Sequence, residues 1–177
     1  YVTWDATHLY FGFQGSDIDQ AFGASASKWL MIYLDTDPGA ATGASTGLIY
    51  NLRAPTFPAG FGAEYHFGWK TGGDNYVNKK QFATGWEEAT APFDWQRADD
   101  FVEIRIPRAY LGANLERVGV SMFMHNEDSA GQWSYAALYG DGWGMTTVAP
   151  IEPIADGDLN PITPARYLLA DFRLARN

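Results

Sequence analysis

Trp29-Leu-Met-Ile-Tyr-Leu-Asp-Thr-Asp-Pro-Gly-Ala-Ala-Thr-Gly43 alternates its side chains and then enters a loop rich in oxygen donors. Successive side chains of a strand point to opposite faces. Leu30, Ile32 and Leu34 therefore line one face, and Trp29, Met31, Tyr33 and Asp35 line the other. The first face reads as a core. The second carries aromatics and ends at Asp35 and Asp37, whose carboxylates are the hard ligands that calcium takes. The stretch predicts a β-sandwich with a metal-ordered loop and a flat aromatic surface, which suits a binding module better than an enzyme.

The same alternation recurs along the chain. Residues 8–14 set Leu9, Phe11 and Phe13 against Tyr10, Gly12 and Gln14, and residues 63–69 set Tyr65, Phe67 and Trp69 against Glu64, His66 and Gly68. Residues 101–106, 117–125, 132–138 and 167–174 read as further strands, with Gly, Pro, Asn and Asp clusters between them. Pro107 and Gly112 bracket one short helical turn, since Pro fits the first helical turn and Gly ends one. Residues 39–47 and 149–164 read as long loops. The expected fold is all-β: one antiparallel, jelly-roll-like sandwich over residues 1–177, with at most that one turn of helix.

Composition narrows the function. Twelve basic against 21 acidic residues give a net charge of −9, which disfavours nucleic acid and anionic membrane as partners. With no Cys, a cysteine nucleophile, a thiolate zinc site and an iron–sulfur cluster are excluded. No apolar stretch reaches the length of a membrane span. The chain opens at Tyr1 directly into a strand, so it reads as a processed piece of a longer protein with covalently linked neighbouring domains.

Two constellations carry chemistry. Asp35 and Asp37 could supply calcium ligands, with Asp17 and Asp19 as a second acidic pair converging on the same ion; the competing reading of Asp-Thr-Asp-Pro-Gly is a simple turn. Asp156 and Asp158 form a third pair. The other constellation mixes aromatics with planar polar groups, as a sugar requires: its C–H faces stack on rings and its hydroxyls seek amides, carboxylates and imidazoles. Trp143, Trp133 and Trp29 are the candidate stacking rings, and His125, Asn126, Glu127 and Gln132 the candidate hydroxyl partners. Catalytic motifs are weak. The pairs Glu87/Glu88, Asp99/Asp100 and Glu127/Asp128 are adjacent in sequence, so a strand would split them between its faces.

Taken in order, several segments resemble family 9 carbohydrate-binding modules and the wider DOMON-like superfamily. These are Val2-Thr-Trp-Asp-Ala-Thr-His-Leu-Tyr-Phe-Gly-Phe13, Ile32-Tyr-Leu-Asp-Thr-Asp37 with Thr42-Gly43, Val102-Glu-Ile-Arg-Ile-Pro107 with Ala109-Tyr-Leu-Gly112, and Val120-Ser-Met-Phe-Met-His-Asn126. The resemblance implies a β-sandwich, a structural calcium near Asp35 and Asp37, and a sugar held by Trp143 and its neighbours. The expected function is a non-catalytic module that binds polysaccharide or oligosaccharide, within an exported bacterial polysaccharide-active or cell-surface protein. Two alternatives stand beside it. One is a structural accessory domain without a ligand. The other is a haem b electron carrier like some members of that superfamily, for which Met31, Met122, Met124 and His125 are the available ligands.

Overall fold

The computed structural model describes residues 1–21, 23–24, 28–40, 42–49, 54–72, 76–113, 115–127, 132–137, 152–153 and 167–174. Its strands are β1 (Val2–Trp4), β2 (His8–Gln14), β3 (Lys28–Asp35), β4 (Tyr65–Lys70), β5 (Val77–Phe82), β6 (Trp86–Glu88), β7 (Asp94–Ala98) and β8 (Phe101–Pro107). The one helical turn, α1 (Arg108–Leu111), precedes β9 (Arg117–Glu127), β10 (Gln132–Ala137), β11 (Glu152–Pro153) and β12 (Leu168–Asp171). Two antiparallel sheets form the expected all-β sandwich. One has the order β1-β2-β8-β7; the other runs β11-β10-β9-β3-β4-β5-β6, with β12 also paired to β9. No helix among the described residues is long and apolar enough to cross a membrane.

The alternation read from the sequence fills the space between the sheets. Leu9, Phe11, Phe13, Val102, Ile104 and Ile106 come from the smaller sheet, and Leu30, Ile32, Leu34, Phe67, Trp69, Val120 and Met122 from the larger. The polar strands β5 and β7 carry no clear apolar alternation and were not legible as strands. They form by pairing onto β4 and β8, near or at a sheet edge, where one side of the ladder and one face can stay wet. Between β7 and β8 the chain reverses at Asp99, whose φ of 51° is a left-handed conformation that Asp tolerates in turns.

The second face of β3 departs from expectation. It is not a flat open surface. Residues 36–40, 42–49 and 54–64 fold back across it as a strap, stitched by bridges between Ala44 and Ala63 and between Thr46 and Thr56. Phe57 of the strap meets Tyr33 edge-on with ring centroids 4.9 Å apart, and Phe61 packs on Phe57 at the same spacing. Trp29, Met31, Tyr33, Phe57, Phe61, Ala63 and Phe123 thereby form a second buried cluster. The strand is buried on both sides because alternation tells which residues share a face, not what will cover it.

The strap should behave energetically as core. Phe57→Ala should cost ~3–5 kcal/mol, the range for emptying a buried aromatic site, read as a lowered urea midpoint. A loss below about 1 kcal/mol, the scale of a surface substitution, would show that the strap is not integral to the fold.

Candidate functional site

Both ends of the strap meet at the end of β3, where three carboxylates converge. One oxygen each from Asp35, Asp37 and Glu64 lies within 4.8 Å of the others. Calcium binds oxygens at about 2.3–2.6 Å, so ligands around one ion stand up to ~5 Å apart, and the spacing fits. The local chain is built for close approach. Gly43, at φ 75°, and Gly62 let the two arms of the strap touch: a Cβ on Gly62 would fall 1.8 Å from the Thr42 carbonyl. Asp35 accepts the Asp37 and Gly62 N–H groups, each at 3.1 Å, and Glu64 accepts the Thr36 N–H at 2.7 Å.

These bonds leave the cluster electron-rich. The Thr42 hydroxyl sits 2.6 and 2.7 Å from the two Asp37 oxygens and 3.2 Å from Glu64, yet it has one proton to donate. No Lys or Arg among the described residues pairs with any of the three acids. Burial pushes the Asp35 carboxyl up, with the Asp37 charge adding to it. Burial likewise raises Glu64, helped by Asp37 and Asp35. Hard oxygen donors, convergent spacing and unbalanced negative charge together fit a divalent cation such as calcium.

The adjoining rows of the sheet lie under the same strap. Tyr33 pairs with His66 on β4, and His66 with Lys80 on β5; Met31 pairs with Gly68, and Gly68 with Asn78. Over these rows lies a cavity of about 280 Å³, floored by Trp29, Met31, Tyr33 and His66, walled by Asn78 and Lys80, and roofed by Leu48 and Ile49 of the strap. The roof is tied to the sheet at two points. The Leu48 N–H donates to the Tyr33 hydroxyl at 3.2 Å, and the Trp86 indole N–H donates to the Thr46 carbonyl at 3.3 Å. His66 is 2% exposed, and its Nδ1 has no hydrogen-bond partner among the described residues; nor has the buried Oδ1 of Asn78. Leaving such an atom unpaired costs about 1–3 kcal/mol.

A larger depression of about 560 Å³ lies on the outer face of the smaller sheet, lined by Tyr10, Asp94, Gln96, Glu103 and Arg105. Its charged and phenolic groups are paired. Arg105 pairs with Asp94 at 3.0 Å, Tyr1 donates to Glu103, and Tyr10 donates to Asp5 at 2.7 Å. It lacks the unmet polar atoms of the strap-covered cavity.

The sequence-predicted residues divide accordingly. Asp35 and Asp37 come together, joined by Glu64, which no spacing in the sequence links to them. Asp17 and Asp19 do not join the cluster. Asp17 pairs with Lys28 and Asp19 accepts the Ala21 N–H, at the far end of β3, roughly 20 Å away along a strand rising ~3.3 Å per residue. Trp29 is not an open stacking platform: it is 5% exposed, with the Lys70 ammonium 5.7 Å from its ring and Tyr76 against it edge-on. It contributes to the cavity floor instead. His125 is buried, directly across from Trp29 in the β3–β9 ladder and from Tyr135 in the β9–β10 ladder. Trp133 pairs with Glu127 one row beyond the Trp29–His125–Tyr135 row and at positions of the same parity, whereas Asn126, paired with Ser134, and Gln132, paired with Pro153, hold positions of the opposite parity. Trp143, Asp156 and Asp158 lie outside the described residues. Of the candidate haem ligands, Met122 and Met124 fill the core between the sheets, on the other face of β9 from His125.

The chain matches no family model, no curated protein and no solved structure. Its functional reading therefore rests on the geometry of the clasp and cavity.

His66 makes acid stability a test of this geometry. Burial, then the Lys80 charge, lowers its imidazole from the ordinary value of 6.5 to about 3. Between those two values the unfolded chain holds a proton that the folded one excludes, so stability falls as pH drops from 6.5 toward 3. The raised Asp35 and Glu64 carboxyls work the other way, favouring the folded state when protonated. Urea midpoints from pH 7 to 4 should decline for the wild type and decline less steeply for His66→Phe. Equal slopes would assign the acid sensitivity to another group.

Proposed function

We propose that this chain is a non-catalytic carbohydrate-binding module whose ligand face is the strap-covered face of the larger sheet, with calcium held at the clasp. The observation that carries this reading is the adjacency of the two features. The carboxylates that close the strap lie one row along β3 from an aromatic and polar cavity that the same strap roofs. Apolar ring faces from Trp29 and Tyr33 beside an imidazole, an amide and an ammonium are the mixture a sugar calls for.

Asp35, Asp37 and Glu64 would hold the calcium. Its contribution is charge: it would balance three acids and fix both arms of the strap. The cavity lining includes no carboxylate among the described residues, whereas glycoside hydrolysis commonly runs on two carboxyl groups flanking the scissile bond. An extracellular or cell-surface setting follows from a polysaccharide ligand, and the net charge of −9 suits a neutral glycan better than an anionic partner.

Calcium at a hundredfold excess over its Kd should add about 2.7 kcal/mol of stability, seen as a raised Tm that chelator reverses and that Asp37→Asn lacks. An unchanged Tm would leave the three acids as a hydrogen-bonded turn. Tryptophan fluorescence against a glycan panel should show binding in calcium that weakens in chelator. Silence from folded, calcium-loaded protein across the panel would overturn the carbohydrate reading.

A further inference from the structure

Resting on that reading, we propose that the cavity receives a single neutral pyranose ring, whose neighbouring hydroxyls bond His66 Nδ1 and Asn78 Oδ1. Two observations converge. Two polar atoms buried without partners, on adjacent strands, belong to residues lining one cavity. A hydroxyl both donates and accepts, so it satisfies the Asn78 oxygen and the free nitrogen of a neutral imidazole in either tautomer. Gly68, paired with Asn78 in the β4–β5 ladder, lies against both residues: a Cβ there would stand 3.1 Å from His66 Nε2 and 3.6 Å from the Asn78 Cβ. A larger side chain at this position would press on His66 and Asn78 together and displace the two groups that hold the ring.

Size and charge specify the ligand further. At about 280 Å³ the cavity lies just below the range of ligand sites, which run from roughly 300 to 1,000 Å³, so it suits one ring rather than a run of several. Lys80 is already paired with Glu88, and the lining offers no other cationic side chain among the described residues, so nothing in the cavity recruits an anionic ring. Both a free monosaccharide and the terminal residue of a chain present this chemistry.

The test titrates calcium-loaded protein with the methyl glycosides of glucose, galactose, mannose and xylose, then with oligosaccharides and polysaccharides of the same sugars. Nitrogen-15 NMR follows the His66 ring. One glycoside should saturate and shift the His66 nitrogens. Asn78→Leu should weaken it about tenfold, the scale of one lost hydrogen bond, and Gly68→Val should abolish it. Asn78→Ala serves should either variant fail to fold. Equal affinity for the glycoside and its oligosaccharide identifies the terminal ring as the whole epitope. If polysaccharide binds while no glycoside moves His66, and Gly68→Val binds like wild type, this pocket is not the site although the carbohydrate reading stands. If no glycan of any length binds, both fall.

Discussion

Strand β3 has no exposed face, and that constraint organises the rest of the molecule. Leu30, Ile32 and Leu34 are covered by the smaller sheet, which a sandwich supplies as a matter of course. Trp29, Met31 and Tyr33 need a second cover, and the larger sheet has no third layer to give it. The chain uses its own connection. Residues 36–64 are far longer than the ~12–15 beyond which unstructured connections become uncommon and are usually functional. Here the length is used to carry Phe57 and Phe61 over the aromatic face.

Such a strap leaves from and returns to one point, because β3 and β4 are hydrogen-bonded neighbours with Leu34 opposite Tyr65. Its departing residues 35–37 and its arriving residues 62–64 are forced together, and three of those six are acids. The cost of closing the strap is concentrated there as like-charge repulsion and desolvation, the two effects that raise Asp35 and Glu64. Backbone N–H groups offset part of it. A divalent cation would offset the remainder at the one point that holds both arms.

How much of this could be read from the sequence depended on whether the controlling pattern was local. The inward alternation of β2, β3, β4, β8 and β9 is local, and so were the pairing of Asp35 with Asp37 and the turn at Pro107. Glu64 was legible as a polar position on a strand but not as a partner of Asp35, since only strand pairing brings them together. His66, Asn78 and Lys80 share a site for the same reason, through the ladder His66–Lys80 and Gly68–Asn78. Trp29 misled because an aromatic on the polar side of a strand looks exposed until a cover is known. Asp17 and Asp19 mislead because acidity is a local property, whereas the length of β3 separates them from Asp35.

The cavity combines a rigid floor with a conditional roof. Its floor residues sit on interior strands of the larger sheet, fixed by ladder bonds on both sides, so their geometry is set before any ligand arrives. The roof is held by the Tyr33 and Trp86 side chains and, further along the strap, by the acidic clasp. A cation that fixes the clasp lowers the cost of ordering the roof, and a ligand that fixes the roof lowers the cost of ordering the clasp. Such coupling is reciprocal by thermodynamic necessity. The unpaired Nδ1 of His66 gives it direction. The folded protein bears an unmet hydrogen bond there, so a group that filled it from the cavity would stabilise the same state as closure of the strap.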